Sequence, residues 1–329
     1  MRIAVDGMGG DYAPQVVVEG SVAAALEYGF DIVIVGDRSK IDAELSKLSS
    51  VPSSISVHHA SEVIDMHEPG AVSVRAKKDS SIWVATELAK ENKVDAVVSA
   101  GNTAAFVSAA MLSLKRLEGV ERPGIAVLVP SLKGPVLMID VGATINPEAE
   151  HLVTFGLMGE VYAKYILKKK NPVLGLLNIG EESSKGPEFL KETHRLLELS
   201  KFNFQGNAEG RDIFAGKFDV VVCDGYTGNV VLKVAESIAG IIASFIKEEL
   251  KRDPLRMLGG LLSKSAFEAV KKQIDYAEYG GAPLLGVNGI CIISHGRSSA
   301  KAIKNAIRVA GEFVEYQVNK HIVEAIKTF

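Results

Sequence analysis

The chain has 329 residues, of which 47% are hydrophobic and 23% charged. That composition excludes a disordered or fibrous polymer and leaves enough apolar residues for a sizeable core. A net charge of −3 excludes the broad basic surface that nucleic-acid binding relies on.

In chain order, nine apolar runs are predicted strands: RIAVD (2–6), DIVIVGD (31–37), SISVHH (54–59), VDAVVSA (94–100), GIAVLVP (124–130), PVLMIDV (135–141), PVLGLLNI (172–179), FDVVVCD (218–224) and NGICIIS (288–294). Most are continuously hydrophobic rather than alternating, the pattern of strands covered on both faces. Amphipathic helices intervene, among them SSIWVATELAKEN, EHLVTFGLMGEVYAKYI and GRSSAKAIKNAIRVAGEFVEYQV. The β-α-β-α order predicts a three-layer α/β/α sandwich, Rossmann-like, with a mostly parallel sheet. KKKNP (168–172) reads as a surface turn, so residues 1–329 are expected to form a single α/β domain. One segment departs from this rhythm. From about 229 to 276 the chain reads as a protruding helical excursion, split by DPLRMLGGLLSKSAF.

Cys223 and Cys291 sit in apolar runs and read as buried thiols of a reducing compartment. Neither has ligand spacing and no CxxC or HExxH occurs, so no protein-bound metal is expected. MRIAVDG reaches an aspartate before a signal-peptide core can form, and the longest apolar run, SIAGIIASFI (237–246), is about half of a spanning helix. The expectation is a cytoplasmic protein.

The strand ends carry the chemical signal. Six of them finish in glycine beside small polar residues: DGMGGD (6–11), SAGNT (99–103), DVGAT (140–144), NIGEESSKG (178–186), CDGYTGN (223–229) and ISHGRSS (293–299). Ligands of open α/β sheets bind outside the carboxyl ends of strands. Glycine lets backbone N–H groups approach the ligand there, and the following helix directs its positive end toward it. The dinucleotide fingerprint fails, because Tyr12 stands where the third glycine would follow Gly7 and Gly9. No GxxxxGK[ST] loop exists, and Ile292 replaces the leading glycine of a hydrolase elbow around Ser294. What remains is an anion cradle with cations nearby: Lys185, Arg297 and the cluster VRAKKDSS (74–81). In that cluster Arg75, Lys77 and Lys78 precede Ser80 and Ser81, which suit a helix cap; a solvated charge run is the alternative.

Together DGMGGD, VRAKKDSS, SAGNT, NIGEESSKG, CDGYTGNVVLK and YGGAPLLGVNG…SHGRSS resemble the bacterial acyl-ACP:phosphate acyltransferase family, PlsX, collinearly from Arg2 to about Val318. The resemblance implies transfer of a long-chain acyl group from acyl carrier protein to inorganic phosphate, without a cofactor. It also implies a homodimer, whose acyl-phosphate feeds a membrane glycerol-phosphate acyltransferase. The family commonly has alanine at Gly7, glycine at Ala104 and asparagine at Thr144, so Thr144 is given no catalytic role.

The chemistry suits these residues. Phosphate is ionised at neutral pH and needs no protein nucleophile; the enzyme supplies orientation, charge neutralisation and a dry pocket. Lys185 is expected to stabilise charge, and Asn229 to serve the oxyanion or the phosphate. Asn102, His295 and Arg297 come next, with His295 open to a core role instead. Gly9, Gly10, Gly101, Thr103, Gly180, Gly228 and Ser298 are expected at the substrate with Arg75, Lys77, Ser80 and Ser81. Asp6 and Asp11 would repel phosphate, so they are expected to hold the glycine loop and orient cations. An apolar groove for the tail is expected from the Ile64–Val74 region and the helical excursion. Within the excursion, Leu255, Met257, Leu258, Leu261 and Leu262, flanked by Lys264 and Lys271, fit a membrane surface, the acidic carrier protein or a dimer contact. Alternative readings are a phosphotransacetylase-like enzyme using acyl-CoA, and a non-catalytic membrane scaffold for lipid-synthesis enzymes.

Overall fold

The computed structural model describes residues 1–274 and 279–329; Tyr276, near the expected end of the helical excursion, lies outside them. The nine expected strands form as β1 (Arg2–Asp6), β2 (Asp31–Gly36), β3 (Ile55–His59), β4 (Ala96–Ser99), β5 (Gly124–Val129), β6 (Val136–Ile139), β7 (Leu174–Leu177), β9 (Val220–Val222) and β11 (Ile290–Ile293). Two were missed, β8 (Phe204–Ala208) and β10 (Ala282–Leu285). FQGNA is a short edge strand with polar residues and a glycine at φ +89°. APLL carries a proline, which ordinarily argues against an inner strand. Here Ala282 and Pro283 pair with β11, while Leu284 and Leu285 pair with β5.

Among the described residues the eleven strands form one sheet, ordered β3-β2-β1-β4-β11-β10-β5-β6-β9-β7-β8. Neighbours run parallel except at β11/β10, β10/β5 and β5/β6. Three successive inversions make β6, β9, β7 and β8 antiparallel to the first half of the sheet. The two halves therefore present their carboxyl ends at opposite edges.

One face is covered by α1 (Gln15–Tyr28), α6 (Ala149–Tyr165), α7 (Glu188–Glu198), α12 (Ala300–Glu315) and α13 (Val318–Thr328), with α2 (Arg38–Leu45) at the edge. The other is covered by α3 (Gly70–Ala76), α4 (Ser81–Lys90), α5 (Thr103–Ser113), α8 (Gly210–Ala215) and the first turns of α9 (Gly225–Leu250). Both cysteines are buried in the second core; burial pushes the Cys223 thiol well up and the Cys291 thiol up to about 12. The excursion continues as α10 (Pro254–Leu262) and α11 (Lys264–Ile274).

At 26 residues with a window of mean hydropathy 1.6, α9 is long and apolar enough to cross a membrane, although the ten-residue run read alone was not. Its start is tied to the folded body: the Gly225 N–H donates to the Thr144 carbonyl at 2.9 Å, and Val231 and Leu232 pack against the core.

Candidate active site

The turns after β1, β4 and β11 are knitted together. Asp6 is buried; its carboxylate accepts from the Ser99 hydroxyl at 2.7 Å and the Met8 N–H at 3.2 Å, and also from Ser81. Burial raises its pKa against the pull of these donors. The Ser99 oxygen in turn accepts the Gly101 N–H at 3.0 Å. Gly9 is packed so tightly that a Cβ would press on the Asp6 carboxylate and lie 2.6 Å from the Gly101 nitrogen. Gly10 adopts φ +106°, open to glycine alone without strain. The Asp11 N–H donates to the Gly296 carbonyl at 2.8 Å, and the Asp11 carboxylate lies 3.6 Å from Nε of Arg297. Asp6 thus holds the glycine loop as expected, and Asp11, not Asp6, orients a cation.

His295 is exposed, which removes the core reading; its Nδ1 accepts the Arg297 N–H at 3.0 Å. Ser298 is buried, 3.0 Å from the Ser294 hydroxyl. Asn102 is spent on structure. Its carbonyl oxygen caps α5 through the Ala105 N–H at 3.0 Å, and its amide donates to the carbonyls of Asp65, Met66 and Glu68 at 2.9 to 3.2 Å. Both ends of its amide are thus engaged.

In the VRAKKDSS cluster two side chains are tied to the protein itself. Lys77 binds Glu68 at 2.6 Å and the Val63 carbonyl at 2.9 Å. Ser80 is buried, donating to the Lys77 carbonyl at 2.8 Å, and Arg75 is exposed on α3. Lys77, then the Asp65 N–H and the Ser73 hydroxyl, hold Glu68 down from the usual 4.5 to about 2. A depressed carboxylate stabilises the fold above its unfolded pKa and loses that contribution as pH falls toward its folded one. The melting-temperature gap between the parent and Glu68→Gln should therefore be widest above pH 4.5 and close toward pH 2; a gap that ignores pH contradicts the pairing.

The second set of turns follows β6 and β9. Asp140 is buried and accepts four backbone N–H groups: Ile125 at 2.8 Å, Gly142 and Ala143 at 3.0 Å, and Thr144 at 2.6 Å. Burial raises its pKa despite them. The Thr144 hydroxyl donates to the Pro123 carbonyl at 3.0 Å, in keeping with a structural role. Asp224 caps α9 through the Thr227 N–H at 2.8 Å. Gly228 admits α9 against the sheet, since a Cβ there would collide with the Asp140 carbonyl oxygen and reach Cys223 Sγ at 2.8 Å. The next residue is Asn229, half-buried, beside Gly142. Among the described residues its amide has no hydrogen-bond partner.

Both sets of turns open on one groove of about 2550 Å³ across the face of β5. One wall carries Asp11, Met66, Thr103 and His295 to Ser298; the other carries Val141 and Asn229; the floor is Ile125, Val127 and Val129. Lys185 and Gly180 are not part of it. Their loop, beyond β9 in the sheet, is pinned instead: Asn178 holds the Lys185 carbonyl at 3.1 Å, Asn207 holds the Glu182 carbonyl at 2.9 Å, and Glu181 lies 3.6 and 3.5 Å from Arg211 and Lys217. Of the expected tail-binding region, Ile64 and Val74 are core residues and only Met66 reaches the groove. The β5 floor was missed; its signal was the unbroken apolar run GIAVLVP.

The excursion has two faces. Met257, Leu261, Lys264 and Phe267 line the groove. Leu255, Leu258 and Leu262 do not, and both sets are exposed, Leu261 at 68% and Leu258 at 53%. The side chain of Lys271, expected in the same contact, lies outside the described residues.

Residues 1–321 match the family described as "Fatty acid synthesis protein". Relatives include a phosphate acyltransferase of Geotalea daltonii, 51% identical over 327 residues (99% of this chain, 94% of the relative). Another is a phosphate acyltransferase of Aquifex aeolicus, 50% identical over 329 residues (100% and 97%). Among solved structures, a phosphotransacetylase from Streptococcus pyogenes has a TM-score of 0.63 at 19% identity, covering 99% of this chain and 94% of that one. The EutD phosphotransacetylase from Staphylococcus aureus has a TM-score of 0.63 at 14% identity, covering 95% and 94%. These structures share the fold.

Proposed function

Because the chain belongs to the fatty acid synthesis protein family, whose named relatives are phosphate acyltransferases, and so transfers an acyl group to phosphate, we propose that its donor is the long-chain fatty thioester of acyl carrier protein. The observation that carries this reading is the groove, which joins a glycine-turn wall with Arg297 to an apolar floor, with the Asn229 amide, unpartnered among the described residues, on the opposite wall.

In this reading the Gly296 N–H and the Arg297 guanidinium hold phosphate beside the 9–11 turn, and His295 orders the Arg297 turn. A phosphate oxygen attacks the thioester carbonyl. Asn229 donates to the oxyanion, the C–S bond breaks, and the thiolate leaves on the carrier arm. Acyl-phosphate remains, for a membrane glycerol-phosphate acyltransferase to consume. Release of free thiol from acyl carrier protein and from acyl-CoA, with and without phosphate, tests the donor. Phosphate-dependent release with the carrier donor preferred supports it. Preference for acyl-CoA overturns it, and release with neither leaves a scaffold.

The same reading places the protein in the cytoplasm, peripherally on the inner face of the membrane. Outward Leu255, Leu258 and Leu262 would enter the lipid surface, and the outer face of α9, at Ile241 and Phe245, would pair two copies. A Leu258→Glu, Leu262→Glu variant should lose co-sedimentation with anionic vesicles while keeping turnover of soluble donor. Unchanged co-sedimentation contradicts the membrane contact.

A further inference from the structure

The loop between β3 and α3 ends in IDMHEP (64–69). Ile64 is a core residue, and Met66 stands alone as an apolar side chain among Asp65, His67 and Glu68. It turns into the groove. A Cβ on Gly296 would meet the Met66 methyl at 2.7 Å, so that methyl lies directly against the glycine preceding Arg297. The loop that carries it is fixed at several points. The Asn102 amide donates to the carbonyls of Asp65 and Met66 at 3.2 Å and of Glu68 at 2.9 Å. The Glu68 carboxylate accepts from the Asp65 N–H at 2.9 Å, the Ser73 hydroxyl at 2.7 Å and Lys77 at 2.6 Å. Lys77 also reaches the Val63 carbonyl at 2.9 Å. Polar side chains of α3 and of the start of α5 thus hold one methyl in place over the turn.

We propose that Met66 is a cap that favours phosphate over water as the nucleophile, and that Asn102 is the residue that positions it. This rests on the placing of phosphate at Gly296 and Arg297. Water is the competitor in any thioester site. Its attack on the carbonyl breaks the same C–S bond and yields a free carboxylate, a thiol and a proton, so the acyl group never reaches phosphate. A methyl seated on Gly296 keeps water off that side of the turn; an anion still gains from Arg297 there, and a neutral water does not. Truncation of Met66 at Cβ opens room for about one water at the glycine.

The test measures thiol release from hexadecanoyl acyl carrier protein and from hexadecanoyl-CoA by the full chain, at saturating phosphate and without phosphate. The ratio of the two releases is the readout, taken with the donor that the chain uses. A variant that merely folds less lowers both releases together and leaves the ratio where it was. Met66→Ala should lower the ratio by about tenfold, the low end of what one missing apolar contact costs in discrimination. Met66→Leu, similar in volume, should restore most of it. Asn102→Ser keeps a helix cap but removes the amide, and should shift the ratio in the same direction as Met66→Ala. An unmoved ratio in Met66→Ala overturns the cap. A shift in Met66→Ala without one in Asn102→Ser overturns the positioning role of Asn102. Calorimetry with inorganic phosphate on the parent and on Arg297→Gln separates this failure from that of the phosphate site. Weakened binding by Arg297→Gln with an unmoved Met66→Ala ratio removes the cap alone. Equal binding removes the placing of phosphate, and the cap with it.

Discussion

Asn229→Ala should lower kcat by about 10²–10³-fold, the usual cost of removing one oxyanion donor, with phosphate KM little changed. The side chain that matters is the one left unspent. Asn102 spends its amide on three loop carbonyls and Asn178 spends its own on the Lys185 carbonyl. Asn229, in the second turn of α9, keeps its amide unpaired among the described residues and lines the groove. Its position depends on Gly228, so the substitution removes a donor without loosening the helix start. Steady-state kinetics with saturating phosphate, together with an unchanged melting temperature, would establish the effect. Full activity would show that the oxyanion is served elsewhere.

Asp140→Ala should cost the fold about 3–5 kcal/mol, the scale on which removing one partner from a buried charged network acts. Four backbone N–H groups converge on this carboxylate, and an unsatisfied buried donor costs about 1–3 kcal/mol. The loss reaches function as well, because Asp140 fixes the turn against which Gly225 and Gly228 seat α9. Urea titration by circular dichroism measures it: a large drop in midpoint at constant slope is expected. A change below about 1 kcal/mol would mean that water replaces the carboxylate without strain.

Much of the fold was legible because buried parallel strands announce themselves as unbroken apolar runs. Strand polarity was not. Nothing in GIAVLVP or PVLMIDV tells that they pair antiparallel, yet that inversion, with the two at APLL, splits six similar glycine turns between two edges of the sheet. The six sequence motifs look alike, and only strand order separates the five that face the groove from the NIGEESSKG loop outboard of β9. Lys185 drew notice as a cation in a glycine loop, but charge and glycine say nothing of where β7 sits. Asn102 and Asn229 are the same residue after similar glycines; only three-dimensional packing shows that one amide is committed and the other open.

The most direct measurement is a crystal soaked in inorganic phosphate. The account predicts one anion in the groove, on the Gly296 N–H and the Arg297 guanidinium beside the 9–11 turn. Phosphate bound instead at the Lys185 loop, outside the groove, would contradict it.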